Sequence, residues 1–441
     1  MSDDLQDPAA GALALSRRNF LRNTAAALAA TAAAAPLAAA AQQTGQNPVP
    51  PNLSVARPEG QQVISPDHHL VNEKQPLPIN QMLDEQNLDS IWPPNADKGG
   101  VQTFKWSYSL AKKEVDAGGW TRQQTVRDLP VSKTMAGVQM YLVPGGIREL
   151  HWHVQAEWAM MISGKARITA VDPVGGKSFV NDVSAGDLWL FPSGSPHSIQ
   201  GLGPEGAMFL LVFNDGNFNE FSTFLLSEWF RRTPKEVLAK NFGVPASTFD
   251  NIPKEKLYIF PAQLPRPLAE EQAQAAQGTG AEHEKYMFRA SQMQPNLTHK
   301  GGSVKIIDRT NFPVTDIAAA IVTLKPGGLR ELHWHTLTDE WQYYVKGKGR
   351  MTIYDAADAA RTADFQAGDV GYIEVTRPHY IENTGDEDLV FLEVFPGPYY
   401  QDISAGEWLA HIPVRLADEH LHLGEDFFKN IKKKELVVVP E

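Results

Sequence analysis

The decapeptide Pro144-Gly145-Gly146-Ile147-Arg148-Glu149-Leu150-His151-Trp152-His153 returns as Pro326-Gly327-Gly328-Leu329-Arg330-Glu331-Leu332-His333-Trp334-His335, nine of ten residues identical at an offset of 182. The same offset relates Ala185-Gly186-Asp187 to Ala367-Gly368-Asp369, Pro196-His197 to Pro378-His379 and Phe209-Leu210 to Phe391-Leu392. So many matches in one register mean that a single folding unit is written twice, in keeping with a 441-residue chain that exceeds the usual length of one domain. Each copy is a series of short runs rich in β-branched and aromatic residues. In the first they are Gln139 to Val143, Trp158 to Ile162, Ala166 to Val171, Leu188 to Phe191 and Met208 to Phe213, separated by Gly164, Pro173, Gly175-Gly176 and Gly186-Asp187. Apolar residues alternate along several runs, as in strands with one buried face, and the spacing suits a sandwich or small barrel. The pattern turns helical near Phe224 to Leu238 and Ile403 to Leu421, with a helix start at Thr233-Pro234-Lys235-Glu236.

His151 and His153 flank Trp152, so on a strand both imidazoles leave one face about 7 Å apart, within reach of one ion. Trp152, and Trp334 in the second copy, then point to the opposite face, where packing is the expected role. Glu157 follows at the start of the next strand, and His197 lies beside a turn marked by Gly194 and Pro196. The second copy repeats the set as His333, His335, Glu340 and His379, with its glutamate one residue further along. An isolated HxH is weak evidence, but a four-residue set written twice in register points to two metal sites. With no cysteine in the chain, any metal sits on His, Asp or Glu, and three imidazoles with one carboxylate suit Mn, Fe, Co, Ni or Zn.

These residues resemble the double cupin motif, G-x5-HxH-x3,4-E-x6-G followed by G-x5-PxG-x2-H-x3-N. Gly145, His151, His153, Glu157, Gly164, Gly186, Pro192, Gly194 and His197 fit it in the first copy, where Gly201 replaces the final Asn. In the second, Gly327, His333, His335, Glu340, Gly347, Gly368, His379 and Asn383 fit, while Glu374 and Thr376 stand where Pro and Gly are usual. The wording RELHWH is similar to that of the oxalate-degrading branch, and the region from about Gly99 to Glu441 resembles the bicupin oxalate decarboxylases.

The resemblance implies an all-β fold of two tandem cupin barrels (double-stranded β-helix or jelly roll) with a few short helices. It also implies two Mn(2+) per chain, dioxygen as cofactor, oxalate as substrate and a homo-oligomer. Arg148 and Arg330, each three residues before the first ligand, take the place of the arginine that holds a substrate carboxylate by paired hydrogen bonds. Asp215 to Thr223 resembles the family lid, with Glu220 at its catalytic glutamate and Phe221 where Asn or Asp is common. Glu393, opposite Leu211 of the first copy, resembles the glutamate of the second site. Two other activities remain open: a bicupin oxalate oxidase that makes hydrogen peroxide, and a non-catalytic bicupin that binds metal or carboxylate.

Outside the repeat, Ser16-Arg17-Arg18-Asn19-Phe20-Leu21 precedes an Ala-rich run from Asn23 to Ala41 that ends in Ala-x-Ala sites. Residues 1–41 read as a twin-arginine signal peptide, which implies the twin-arginine export machinery as a partner, a periplasmic or secreted product and no stable membrane insertion. Residues 42–97, rich in Pro, Asn and Gln, read as an extended arm; 98–264 form the first domain, 265–281 a linker and 282–441 the second domain. A formal net charge of -12 argues against nucleic acid or an anionic membrane as a general partner and means that an anionic substrate needs local positive charge. Changing Arg17 and Arg18 to Lys is expected to leave full-length precursor in the cytoplasm, as read by fractionation and immunoblot; undiminished export of the processed chain would exclude the twin-arginine route.

Overall fold

The computed structural model describes residues 80–433 and 436–440, apart from residue 92; the signal segment and most of the 42–97 arm lie outside the described residues. The fold is all-β, two tandem cupin barrels with a few short helices. The first barrel is carried by strands Ala136–Leu142, Gly146–Trp152, Glu157–Val171, Ser178–Ser184, Leu188–Phe191, His197–Gly201 and Ala207–Phe213. The second repeats this order from Ala318–Leu324 to Leu389–Phe395. The long strand Glu157–Val171 pairs with Leu188–Phe191 and Ala207–Phe213 in one sheet, then with Ser178–Ser184 and His197–Gly201 in the other. At the corner sits Gly164 at φ 74°, where an added Cβ would lie 2.0 Å from the Gly206 carbonyl oxygen. Glycine adopts that backbone without strain, and only glycine leaves that space. Gly347 at φ 82° marks the same corner in the second barrel, between Glu340–Lys346 and Lys348–Asp355.

Side chains alternate between two apolar regions. Ala159, Met161, Trp189, Phe209 and Leu211 fill the first barrel. Their neighbours in sequence, Trp158, Met160, Leu188, Leu190 and Leu210, face outward and join the core shared with the second barrel, where Trp341, Tyr343 and Val370 meet them. Polar atoms buried at this seam are paired: Trp341 Nε1 donates to Gln124 Oε1 at 2.8 Å, and Gln139 Nε2 donates to the Tyr343 hydroxyl at 2.7 Å. Leaving either unpaired away from water would cost about 1–3 kcal/mol.

The barrels also exchange strands. Lys105–Ser107 runs antiparallel to Asp369–Ile373 of the second barrel, and Met287–Phe288 runs antiparallel to Leu188–Phe191 of the first. A domain division at residues 98 and 282 therefore follows the sequence repeat but not the sheets, because each leading strand completes the sheet of the other copy. Hydrophobic pattern specifies that a segment is a strand and leaves its partner open.

Among the described residues the flanking segments carry short helices. Residues 265–281 hold the helix Leu268–Ala275, fastened to the first barrel by Gln272 Nε2 donating to the Val180 carbonyl and by an Arg167–Glu271 ion pair at 2.7 Å. The described end of the arm forms two short helices, Gln81–Glu85 and Leu88–Ile91. The helix start falls within Thr233-Pro234-Lys235-Glu236: the helix begins at Lys235 after Pro234, and Thr233 Oγ1 donates back to the Trp229 carbonyl, closing the preceding helix Leu226–Arg232. Among the described residues no helix is long and apolar enough to cross a membrane.

The Asp89 and Asp364 carboxylates dock the arm, each accepting the other's backbone N–H at 3.1 Å. Asp364 is charge-balanced by Arg350 at 2.9 Å. Burial, and then the Asp364 carboxylate, push Asp89 up to about 6. Released from the fold, the group returns to about 3.9. Between these values the docked form holds a proton that the undocked form lacks, so docking weakens as pH rises through the folded value. Asp89→Asn is expected to abolish this contribution, reducing the loss of thermal stability between roughly pH 4.5 and pH 7.5; a melting profile identical to that of the wild type at both pH values would refute it.

Candidate metal centres

Strand Gly146–Trp152 carries His151 at its end, directly opposite His197 on His197–Gly201. A register shift between Arg148 and His151 turns the end of this strand, and the same shift recurs between Arg330 and His333, where His333 lies opposite His379. Such irregularities re-aim side chains locally. Glu157 and Glu340 open the following strands. The ligand atoms of His151, His153, Glu157 and His197, and those of His333, His335, Glu340 and His379, lie within 4.8 Å of one another in each set, and all eight residues are buried.

The hydrogen bonds around these imidazoles decide what they can hold. Nδ1 of His151, His153 and His197 lies 2.6, 2.7 and 2.8 Å from the carbonyls of Glu149, Gln155 and Ser195. Nδ1 of His333, His335 and His379 lies 2.7, 3.0 and 3.1 Å from those of Glu331, Gln401 and Arg377. A carbonyl only accepts, so each Nδ1 is the donor and each neutral ring turns a bare Nε2 inward. In the first set those nitrogens face Glu157 Oε2, 3.2 Å from His153 and 3.3 Å from His197; in the second they face Glu340 Oε2, 2.9 Å from His335 and 3.0 Å from His379. His197, His333, His335 and His379 Nε2 and Glu340 Oε2 are buried without a well-directed hydrogen-bond partner. Lone pairs converging on lone pairs in a dry site require a cation, and the donor set fits a divalent transition metal.

Electrostatics agree. Burial drives His151 and His333 well below the usual imidazole range, with Arg148 and Arg330 adding to the effect. Burial by itself would raise Glu157 and Glu340, but a positive charge on the facing imidazoles holds both below the usual carboxylate range, as a bound cation in their place would. Neutral His151 and His333 are therefore ready as ligands, while the Glu340 carboxylate raises His335 against its burial, so a proton there leaves as an ion binds.

Each barrel places an arginine and a glutamate beside its ligands, by different means. Arg148 Nε donates to Glu220 Oε1 at 2.9 Å and its Nη2 to Thr223 Oγ1 at 2.9 Å, while Nη1 is buried with no partner among the described residues. Glu220 comes from a loop, in the short 3-10 turn Glu220–Ser222, and is itself buried. That loop also lays Phe218 on the metal set, its ring 5.7 Å from that of His153 and stacked on Phe213 at 3.5 Å. In the second barrel Arg330 Nε donates to Glu393 Oε1 at 3.1 Å, but Glu393 sits on strand Leu389–Phe395. Arg330 Nη2 is held by Asp402 and the Tyr400 hydroxyl, and Nη1 by the Val437 carbonyl. Burial pushes Glu393 up to about 7, against the pull of Arg330.

A family model described as Cupin matches residues 110–249 and again 288–425. The oxalate decarboxylase OxdC of Bacillus subtilis (strain 168) is 49% identical over 364 residues, 82% of this chain and 93% of that one. A probable oxalate decarboxylase of Arthroderma benhamiae is 40% identical over 365 residues, 82% of this chain and 89% of that one. This chain belongs to the bicupin oxalate decarboxylase family. Solved Bacillus subtilis structures agree: one in which the Mn(II) centres were characterised by EPR superposes with TM-score 0.79 at 48% identity, covering 83% of this chain and 96% of that one. Another, determined at pH 4.6, gives TM-score 0.81 at 47% identity, covering 86% and 98%.

Departures from the family motif have local explanations. A Cβ at Gly201 would stand 2.5 Å from the Val143 carbonyl oxygen, so the first barrel has no room for the asparagine that the second keeps as Asn383. Thr376, in place of glycine, still adopts φ 68°, matching Gly194 at 73°. Their backbone N–H groups make the same bond, to the His335 and His153 carbonyls, at 2.9 Å. Trp152 and Trp334 lie outside, against Phe224 and Trp408. Sequence reasoning missed Tyr258, whose hydroxyl donates to Glu220 Oε1 at 3.2 Å and whose ring lies 4.4 Å from the Arg148 guanidinium. Its φ of 49°, unusual for an aromatic residue, leaves no mark in the sequence.

His153→Ala is expected to lower bound metal from two ions per chain to one, by elemental analysis of folded protein; retention of both would exclude the first cluster as a metal site.

Proposed function

We propose that this protein is a manganese-dependent oxalate decarboxylase that converts oxalate to formate and carbon dioxide, with dioxygen as cofactor, and that its first barrel carries the reaction. One observation bears most of the weight: a buried arginine whose Nη1 has no partner among the described residues lies beside the metal ligands and is bonded to a glutamate that a loop supplies. Manganese supplies a Lewis-acid centre and a one-electron couple, with dioxygen as second cofactor.

Hydrogen oxalate contains every atom of formate and carbon dioxide, so the conversion is redox-neutral overall. One carbon–carbon bond breaks, one carbon–hydrogen bond forms, and the proton on an oxalate oxygen ends on carbon. Arg148 fits the substrate carboxylate, offering a donor that nothing in the described protein uses. Glu220 fits the proton carrier, taking the proton from oxygen and returning it to carbon, with Thr223 and Tyr258 fixing the arginine and the carboxylate. Phe218, packed on Phe213 and His153, keeps water from the site, so the proton goes to carbon rather than to solvent.

The second barrel fits a supporting role. Its Arg330 donors are taken by Glu393, Asp402, Tyr400 and Val437, and Glu393 is fixed on a strand, so neither can receive an anion or move. Export by the twin-arginine route to the periplasm or beyond rests on the signal-like first 41 residues. A homo-oligomer is supported by large apolar side chains left exposed beside the outer tryptophans, Phe224 and Trp229 on one barrel and Leu332 and Trp408 on the other.

Oxalate oxidase is the second reading because Phe221, whose ring is 5.7 Å from that of Tyr258, stands in the lid where the motif has a small polar residue. Product analysis separates the two. The wild type is expected to yield formate, and Glu220→Gln to lower formate by roughly 10²-fold or more with metal content unchanged. Peroxide alone from the wild type would make the protein an oxidase; loss of formate in Glu393→Gln with Glu220→Gln active would move the reaction to the second barrel.

A further inference from the structure

Each ligand glutamate turns one carboxylate oxygen to the imidazoles and is held from behind by the other. What holds it differs between the barrels. In the first, Glu157 Oε1 receives the indole N–H of Trp189 at 3.4 Å, the outer limit of a hydrogen bond. In the second, Glu340 Oε1 receives the Gln342 amide N–H at 2.7 Å, and the Tyr344 hydroxyl donates to Gln342 Oε1 at 2.9 Å. The tyrosine thus fixes the orientation of the amide, which can present only its donor to the carboxylate.

This difference is an exchange of volumes at matching cross-strand positions. Ala159 lies opposite Trp189 in the first barrel, and Gln342 lies opposite Gly371 in the second. A Cβ on Gly371 would stand 3.1 Å from Gln342 Oε1 and 3.3 Å from both Met351 and Phe365, so the missing side chain is what lets the amide sit behind the ligand. The Tyr344 ring is itself stacked on Phe365 at 4.5 Å and on Phe391 at 5.4 Å. Gln342 and Tyr344 are fully buried, so water does not compete for the relay.

We infer that Gln342 and Tyr344 are positioning residues that make the second centre hold its ion more tightly than the first. A short hydrogen bond to a charged carboxylate locks the Glu340 rotamer with Oε2 on the imidazoles, whereas the long indole contact leaves Glu157 free to swing away. Groups that orient metal ligands in this way typically change affinity by about 10–100-fold. The second ion is a retained structural centre and the first an exchangeable one. This rests on the metal-holding part of the function proposed above and not on oxalate turnover.

The test is release of Mn(II) from the holoenzyme to excess EDTA, followed by elemental analysis and by the EPR signal of the remaining protein-bound ion. The wild type is expected to lose one ion quickly and one slowly, and His153→Ala to lack the fast phase. Gln342→Leu is expected to speed the slow phase by about 10–100-fold. Tyr344→Phe, which keeps the stacked ring and removes only the hydroxyl, shifts it the same way by less, and Trp189→Phe leaves it unchanged. Release of both ions in one phase from the wild type overturns the inference, as does a slow phase untouched in folded Gln342→Leu. Should that variant fail to fold, an unaltered slow phase in Tyr344→Phe overturns it. A wild-type chain that retains no ion overturns the metal reading and this inference together.

Discussion

Six imidazoles and two carboxylates have their lone pairs aimed at two points inside the barrels, and the rest of the structure exists to keep them there. Each ring donates Nδ1–H to a backbone carbonyl, which leaves the inward nitrogen with nothing to donate. In a dry interior that arrangement is repulsive until a cation arrives, so the site is defined by a need as much as by a shape. The register shifts, the glycine corners and the glutamates at the strand starts are the means by which a sheet brings ligands from separate strands to one point.

The same scaffold serves two ends. In both barrels an arginine Nε is bonded to a glutamate near the ligands. In the first the glutamate arrives on a loop and one guanidinium donor is left over; in the second it arrives on a strand, and Asp402 and Tyr400 take up the remaining charge and donors. Duplication supplied the frame, and the position from which one carboxylate enters separates a site with a spare guanidinium donor from one whose donors are taken. The shared core and the exchanged leading strands bind the two barrels into one body, so neither copy completes its sheets alone.

Much of this was legible in the sequence. All eight ligands stood in motifs whose spacing reflects strand geometry, and the structure brings each ligand set to one place; both arginines and the lid glutamate were marked by the family resemblance. Partners distant in sequence were not legible. Tyr258 has Val437, a different residue type, as its counterpart and sits in a backbone conformation that no residue type announces, and the Trp189–Ala159 and Gln342–Gly371 exchanges look like unrelated substitutions until cross-strand register places them behind the ligand glutamates.

The sequence by itself determined what is periodic and local: a β unit written twice, ligands on one face of a strand, glycines at corners, and donors that exclude soft metals. Those follow because alternation and spacing are properties of neighbouring residues. Only the tertiary structure decided which strand completes which sheet, which arginine keeps a free donor and which glutamate is braced from behind. Each of these depends on contacts between segments far apart in the chain, and the same strand can satisfy its hydrogen bonds with many partners until the packing of whole barrels selects one.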